Sequence, residues 1–590
     1  MSAFRDTFLD TILPHVQMPG QYVGGEVNAI VKDWDRVRLR FALAFPDLYT
    51  IGMSNLGIQI LYDLINRRDD CLAERVFTPA VDLEARLRAK GVPLLSLENM
   101  QPLSAFDVVG FSVHTELAYT NILTMLDLGG IPRRAADRGP GTPLVCCGGH
   151  NINYEPVADF FDFIFIGEAE EAIGEILDAV IAGSGEPRAA ILDRLEGIEG
   201  VYIPSRFEPV YAADGRLTAV TPRGRRTTVT RRIVADLDAA PAPVRPVIPN
   251  VEVVHDRISV ELMRGCPNAC RYCMSGNFTR RVRTRRPETV MRISREAYAN
   301  TGYDEISLLS LSTGDYPGIL DLLRDLSVEF APRQVGISLP SLSVTHHILT
   351  MLPDLKAVRR VGLTFAPETG TESLRRLQNK ATTDAELLDV IREAYRMGWD
   401  HIKLYFMVGL PGETPADVAA IADLVLRISD LRREVHNRPG GVNLTISPFV
   451  PKPFTPFQRE PMCPPAELED RIKIITAALK RKTIRYKYPD IGMTVLEGVF
   501  ARGDRRLSQV IEAAWAAGAR FDSWTEHARP AAWEGAFKAA GLDPAFYTTR
   551  GRTAAEVLPW AHILTGCEAH IEQDRVSFGE QLERRRTDGD

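Results

Sequence analysis

Apolar and polar positions along this chain follow two periods that trade places. Between residues 38 and 182, apolar runs of strand length alternate with stretches in which apolar residues recur every three or four positions, the spacing of one helix face. Runs at 38–45, 108–113, 144–147 and 163–166, with a shorter one near Arg75, predict five strands, and 81–90 and 121–128 predict helices between them. Strands joined by crossover helices make a doubly wound parallel sheet, whose ligand crevice lies beyond the carboxyl ends of the strands.

The pattern changes near residue 191. GVYIPSRFEPVYAADGRLTAV reads as short β runs and PAPVRPVIPN as a Pro-rich linker, together spanning 191–250. Alternation resumes at 251, where runs at 258–261, 305–311, 334–339, 361–365, 401–408 and 442–447 predict six β/α units, a partial barrel with its chemistry at the strand ends. The expected organisation is an N-terminal extension (1–35), a doubly wound domain (36–190), the β insertion and linker (191–250), the barrel (251–460) and a mostly helical C-terminal region (461–590). The charged end EQLERRRTDGD is expected to fray.

Composition constrains partners more than fold. The 590 residues hold 70 Lys and Arg against 77 Asp and Glu, a net charge of −7, so the chain has no global attraction for phosphate backbones. Nucleic-acid binding is not excluded, but it needs a local basic patch, for which the Arg-rich runs 223–232 and 280–286 are the candidates. No stretch reaches 18 apolar residues, and the first 30 lack the basic start and apolar run of a secretory signal. A cytoplasmic protein with no membrane partner is expected. Eight cysteines in this length are too few for a disulfide scaffold, and three of them are clustered, which favours metal.

That cluster, RGCPNACRYCMSG, sets Cys266, Cys270 and Cys273 at C-x3-C-x2-C spacing directly after the first predicted barrel strand. Three thiolates in one loop can hold three irons of a four-iron cluster and leave the fourth open. A zinc site or three unrelated thiols are the alternatives, though zinc normally takes a fourth protein ligand and none has an obvious spacing here. The motif resembles that of the radical SAM superfamily. The resemblance implies a [4Fe–4S] cluster whose open iron binds S-adenosylmethionine and cleaves it to a 5′-deoxyadenosyl radical, with Cys266, Cys270 and Cys273 as metal ligands and catalytic residues and Tyr272 in the usual aromatic position. It also implies S-adenosylmethionine contacts from Ser312 and Asp315 in LSLSTGDY and from Glu368 in TFAPETG. A helix cap or turn is the alternative role for each of these three.

The first domain carries a second resemblance. B12-binding doubly wound (flavodoxin-like) domains have D-x-H-x-x-G after the first strand, and FPDLYTIG supplies Asp47, Tyr49 and Gly52 at that spacing, with Tyr in the histidine slot. Ser112 in GFSVH, Gly148 and Gly149 in CCGGH, and Gly167 and Glu168 in GEAEE take the other cofactor-contact positions. A phenol is a poor cobalt ligand beside a neutral imidazole, so cobalamin here would lack a histidine from this loop. A degenerate domain whose Gly-Gly is only a turn is the alternative. Cys146 and Cys147 read as buried core thiols.

From about residue 15 to 570 the chain resembles the family of uncharacterised B12-binding-domain radical SAM proteins, through GGEVN, FPDLYTIGMSNLG, EPVADFFD, GEAEE, VHDRISVELMRGC, EISLLSLST, SLPSL, GLTFAPETG, KLYFMVGLPGET, FVPKPFTPFQ, LEGVFARGDRR and LPW. Ser343 and the PNAC loop depart from the pattern. The resemblance implies a cobalamin-dependent radical SAM enzyme that uses a cluster, S-adenosylmethionine and cobalamin, draws electrons from a flavodoxin or ferredoxin, and methylates an unactivated carbon of an unknown substrate. A non-methylating rearrangement or cyclisation enzyme, or a cluster- and corrinoid-binding sensor without turnover, are the alternatives. In the C-terminal region, Arg505 and Arg506 are expected to be solvated and the tryptophans to pack in a core of that region's own.

Overall fold

A computed structural model describes residues 3–339 and 363–588. Its first sheet is built from β1 (Leu39–Phe45), β2 (Cys71–Phe77), β3 (Val108–Val113), β4 (Leu144–Gly149), β5 (Phe163–Phe165) and β6 (Val201–Tyr202), in the order β2-β1-β3-β4-β5-β6. All neighbouring strands run parallel except β5 and β6. The predicted doubly wound order is therefore present, with one antiparallel edge strand added from the β insertion. Helices α1 (Leu56–Asn66), α2 (Val81–Lys90), α3 (Tyr119–Leu128) and α4 (Ala172–Ala182) cover its two faces.

Strand alternation decides which face each residue serves. Phe41, Leu43 and Phe45 of β1 pack with Ile58, Tyr62 and Ile65 of α1 and with Ile176 and Val180 of α4. Ala42 and Ala44 point to the other layer, with Leu83 and Leu87 of α2 and Ile122 and Leu126 of α3. Local signals set the helix ends. Asn55 Oδ1 accepts from the Ile58 amide at 3.1 Å to start α1, and Gly91, at φ 62°, stops α2.

Among the described residues the second α/β region holds two parallel sheets. One contains β7 (Ile258–Glu261), β8 (Glu305–Leu309) and β9 (Gly336–Ser338); the other contains β10 (Leu363–Glu368), β11 (His401–Val408), β12 (Gly441–Pro448) and β13 (Ile484–Lys487). Helices α5 (Pro287–Thr301), α6 (Ile319–Phe330), α7 (Asp384–Arg396), α8 (Pro415–Leu431) and α9 (Pro465–Ala478) alternate with these strands. The connection from β9 to β10, Ser343 and most of SLPSL lie outside the described residues. Strand β13 adds one strand to a C-terminal region expected to be mostly helical. TIRYKY pairs in parallel with β12, Val442 opposite Ile484 and Thr445 opposite Lys487. As an edge strand it buries only Ile484, so it carries almost no hydrophobic signal.

Two expectations are overturned in the C-terminal region, which contains α10 (Ile491–Arg502), α11 (Leu507–Ala516), α12 (Pro530–Ala540) and α13 (Glu568–Asp588). From Leu496 to Ile571 it shares one core with the first domain, while Phe578 of α13 packs with Leu377 and Phe457 of the second region. Trp515 Nε1 donates to Thr124 Oγ1 of α3 at 3.0 Å, and Asn153 Nδ2 donates to the carbonyls of Phe500 and Gly503 at 2.9 and 2.8 Å. Helix α3 is buried nearly all round, its Thr120, Asn121 and Thr124 included, and takes its polar partners from this cover. Arg505 is not solvated but sits against Glu155 at 3.2 Å. Arg506 pairs with Asp504 at 2.7 Å and lies over the Tyr211 ring.

The tail expected to fray belongs to α13. Its Arg585 reaches back to Asp417 with contacts of 2.7 and 2.8 Å. Asp417 also caps α8, accepting from the Thr414 amide at 2.8 Å, and takes a hydrogen bond from Thr371. Both members of the Arg585–Asp417 pair are buried. Replacing Arg585 with Ala strands a buried carboxylate, a loss on the order of 3 kcal/mol for such pairs. Arg585→Ala should lower the thermal unfolding midpoint clearly, with Arg585→Lys restoring only part of it because a bidentate fork becomes a point charge; differential scanning calorimetry of both variants checks this.

Candidate functional site

The C-terminal ends of the first sheet face the second α/β region across a cavity of about 620 Å³. On one side it is a slot between α1, α4 and a single face of the sheet. Phe41 and Leu43 of β1, Gly110 and Ser112 of β3, Cys146 and Gly148 of β4, and Phe163 and Phe165 of β5 are its alternate-position walls. On the other side it reaches Glu261, Arg264 and Gly265 at the end of β7, and Leu309 and Ser310 at the end of β8. Small residues make the slot. A Cβ on Gly110 would meet the Phe41 ring at 2.5 Å, and one on Gly149 would meet the Val113 carbonyl at 2.0 Å.

Of the residues predicted to contact a corrinoid, Ser112, Gly148, Gly149, Gly167 and Glu168 line this cavity. Asp47, Tyr49 and Gly52 are not among its walls, and the chemistry around them explains why. The Tyr49 hydroxyl donates to Glu26 Oε1 at 3.1 Å in the core, beside the buried pair of Arg75 with Glu26 at 2.9 Å. Gly52 packs beneath Phe77, whose ring a Cβ would approach to 2.2 Å. Asp47 accepts from Trp524 Nε1 at 3.2 Å and lies 3.5 Å from His114 Nε2. Cys146 and Cys147 are buried, as expected, and burial pushes both thiols up.

Two histidines that the sequence reading passed over, His114 and His150, line the cavity. They close the quoted motifs GFSVH and CCGGH. His114 stacks on Phe45 with ring centroids 4.8 Å apart. His150 follows the Gly148–Gly149 pair and sets its ring edge against Phe278. His150 is exposed to the cavity, yet the protein packed around it, with Arg231 next in effect, lowers it to about 4, which favours the neutral imidazole. The neighbouring Asn151, at φ 65°, lies with its Oδ1 2.9 Å from the Ser275 hydroxyl just after the cysteine triplet.

The triplet sits on a loop held from several sides. Gly265 enters it at φ 90°, where a Cβ would lie 2.4 Å from the Arg281 carbonyl. Asn277 Nδ2 donates to the carbonyls of Cys270 and Cys273 at 3.0 and 2.8 Å. The amide of Gly276 donates to Cys273 Sγ at 3.3 Å. A Cβ on Gly276 would stand 3.6 Å from Cys273 Sγ and 3.8 Å from the Cys266 Cβ, so these two cysteines flank one point. Among the described residues no three His, Cys, Asp or Glu side chains gather as ligands of a single ion. Burial raises all three thiols, Cys273 to about 11, so iron or another metal must displace their protons on binding.

The predicted S-adenosylmethionine contacts converge on the same loop. Asn268, two residues after Cys266, donates to Ser312 Oγ at 3.2 Å and to Asp315 Oδ2 at 3.0 Å, and Ser312 donates to Asp315 at 2.6 Å. Glu368 occupies a bulge of β10 at φ 69°, with Lys380 Nζ 3.5 Å away and Tyr272 hydrogen-bonded to it. Burial raises the Glu368 carboxyl, and Lys380 offsets this only in part. Asn268, Asn277 and Lys380 were missed because a lone amide or lysine in a loop carries no spacing signal.

Glu168 does more than line the cavity. Its carboxylate takes Arg283 at 2.6 and 2.7 Å and Arg264 at 3.2 Å, while Arg264 also holds Glu170 at 2.7 Å and Glu261 at 2.8 Å. Burial opposes ionisation, yet the two guanidiniums hold Glu168 below the usual carboxylate range. Arg271, inside the triplet, is anchored by α13 through Asp574 at 2.9 Å and Gln581 at 2.9 Å.

Two family models match the chain: radical SAM proteins, N-terminal, over residues 57–204, and the radical SAM superfamily over residues 260–425. An uncharacterized protein of Methanocaldococcus jannaschii is 24% identical over 477 residues, 80% of this chain and 90% of that protein. The tRNA-2-methylthio-N(6)-dimethylallyladenosine synthase of Clostridioides difficile is 27% identical over 178 residues, 29% of this chain and 37% of that enzyme. In fold, the chain is similar to the radical S-adenosylmethionine methyltransferase TsrM of Kitasatospora setae, solved with cobalamin and a [4Fe–4S] cluster, at a TM-score of 0.51 and 14% identity over 85% of this chain and all of that one.

The Glu168 contacts predict that Glu168→Ala loosens the junction of the two α/β regions, leaving Arg283 and Arg264 short of a partner. Limited proteolysis should then cut the Pro-rich segment 240–250 several-fold faster than in the unaltered chain, with far-UV circular dichroism unchanged.

Proposed function

The chain belongs to the radical SAM superfamily, and from that membership we propose that it is a cobalamin-dependent radical SAM enzyme that methylates an unactivated carbon. The observation that carries this reading is one continuous cavity with a glycine-walled slot of the first domain at one end and, at the other, Arg264 and Gly265, which lead into the loop of Cys266, Cys270 and Cys273. When bound, the cofactors supply the chemistry: reductive cleavage of S-adenosylmethionine to a 5′-deoxyadenosyl radical at the cluster, and a methyl group from cobalt. The protein aligns them and excludes water.

Each residue then has a defined task. Cys266, Cys270 and Cys273 hold three irons, and Asn277 fixes the loop carbonyls so that the thiols keep their places. The Ser312–Asp315–Asn268 set offers a carboxylate and a hydroxyl to the amino group of S-adenosylmethionine. Glu368 and Tyr272 present a half-buried acid and phenol beside the loop. Ser112, Gly148 and Gly149 let a large flat ligand approach the backbone, and the buried Tyr49 leaves it no ligand from the first-strand loop. His150 is the neutral imidazole that the cavity offers instead. A flavodoxin or ferredoxin is the proposed electron donor. Among the described residues no helix is long and apolar enough to cross a membrane, and a cytoplasmic setting suits an oxygen-sensitive cluster.

Separate variants test the two halves. Replacing all three cysteines with Ala should abolish iron binding on anaerobic reconstitution and end S-adenosylmethionine cleavage, while cobalamin uptake persists. Gly148→Leu, whose side chain has room to project into the slot, should weaken cobalamin binding at least tenfold with iron content unchanged. Full iron loading of the triple variant, or normal cobalamin uptake by Gly148→Leu, would oppose the assignment.

The methylation step has its own measurement. With methyl-deuterated S-adenosylmethionine and a competent substrate, the product should carry the intact labelled methyl group, with 5′-deoxyadenosine and S-adenosylhomocysteine formed in about equal amounts, as two uses of S-adenosylmethionine per turnover require. Deoxyadenosine without S-adenosylhomocysteine or label would point to a rearrangement or cyclisation.

A further inference from the structure

The Arg-rich runs that the sequence offers as phosphate sites are largely engaged inside the fold. Arg223 pairs with Glu208, Arg232 with Glu171 and Glu175, Arg283 with Glu168 and Arg286 with Asp238. Arg231 is buried against the Phe278 carbonyl and ring. A different basic segment is free. Lys480, Lys482, Arg485 and Lys487, on and just before β13, are all exposed, and no carboxylate among the described residues pairs with any of them. Arg481, between them, is held by Asp430 at 2.9 Å.

Two aromatic rings are interleaved with these cations. Tyr486 and Tyr488 are 43% and 49% exposed, unusually open for rings, and neither stacks on another ring among the described residues. Tyr486 lies on β13 and Tyr488 just beyond its last residue, Lys487; extended backbone sets them on the side of the strand opposite Arg485 and Lys487, about 7 Å apart. That is about twice the 3.4 Å step between bases of a duplex strand, so the rings can take bases only from a strand that is unstacked. Among the described residues β13 is an edge strand, so both its sides, the tyrosines on one and Arg485 and Lys487 on the other, are open to a single chain laid along the edge. It runs parallel to β12, with Lys487 opposite Thr445, which puts its last residues toward the end of the sheet where Glu368 lies.

We propose that the edge formed by residues 480–488 binds single-stranded nucleic acid, with phosphates on Lys480, Lys482, Arg485 and Lys487 and bases stacked on Tyr486 and Tyr488. A positive track with interleaved aromatic rings is the usual chemistry of sequence-tolerant single-strand binding. Lysines on an exposed edge also prevent edge-to-edge pairing, but that task gives two solvent-facing tyrosines nothing to do. The proposal does not depend on the cofactor assignment.

The test uses the full-length chain, anaerobically reconstituted with iron and sulfide, and a fluorescein-labelled single-stranded RNA of mixed sequence about 20 nucleotides long, a span that suits such sites. Fluorescence anisotropy should report binding that weakens with salt. Tyr486→Ala with Tyr488→Ala should weaken it about tenfold or more. Lys482→Gln with Lys487→Gln should weaken it and flatten the slope of log affinity against log salt by about 0.7 for each cation removed. Arg223→Gln with Arg286→Gln should leave it unchanged. Ultraviolet cross-linking of the unaltered chain should attach RNA to the peptide containing Tyr486 and Tyr488, a readout that no variant can confuse by misfolding. Absence of binding at low salt, equal affinity in the tyrosine double variant, cross-links confined to other peptides, or equal competition by double-stranded DNA would each overturn the proposal.

Discussion

Everything at the centre of this molecule depends on a charge cluster that joins two sheets end to end. Arg264 and Arg283, on either side of the cysteine loop, share Glu168, Glu170 and Glu261. Two guanidiniums against three carboxylates would be a poor arrangement in water, where each ion is well solvated. Here the partners are half-buried or buried, and a guanidinium fork satisfies several acceptors at once without giving up its charge. Because Arg264 lies two residues before Cys266, the same contacts that close the domains also fix the entry to the cysteine loop. Domain closure and loop geometry are thus one interaction.

The cavity follows from that closure and from missing side chains. A doubly wound sheet alone would bury its α1 and α4 face completely. Gly110 lets the Phe41 ring lie flat against the sheet and Gly148 withholds a side chain where nothing else fills the space, and the slot opens toward the second region because the charge cluster holds the two sheets mouth to mouth. Polarity is distributed accordingly, with an apolar slot inside the sheet and acids, amides and thiols at the loop.

Most of the sheet order and the triplet were legible because each rests on local chemistry: strand-length apolar runs, and three cysteines at fixed spacing. Tyr49 shows where that stops. Its spacing matched a ligand motif, but its ring turns inward to Glu26, a partner 23 residues earlier that no periodicity announces. Glu168 was read as a cofactor contact because a carboxylate after a strand end invites that reading; its arginines lie more than ninety residues on. Strand β13 was hidden because an edge strand needs only one buried residue, and Arg505 was taken as solvated because its carboxylate, Glu155, is 350 residues away in sequence.

The anchoring of Arg271 by α13 sets an order of events in the making of the protein. Asp574 and Arg271 are 303 residues apart, a stretch that takes roughly 15 to 60 s to synthesise at common translation rates. For that interval the cysteine loop is outside the ribosome without its last support at Arg271. Insertion of iron is therefore best timed after release of the finished chain, and a cell that slows translation over the last third of this message lengthens the period in which the loop can be lost to oxidation.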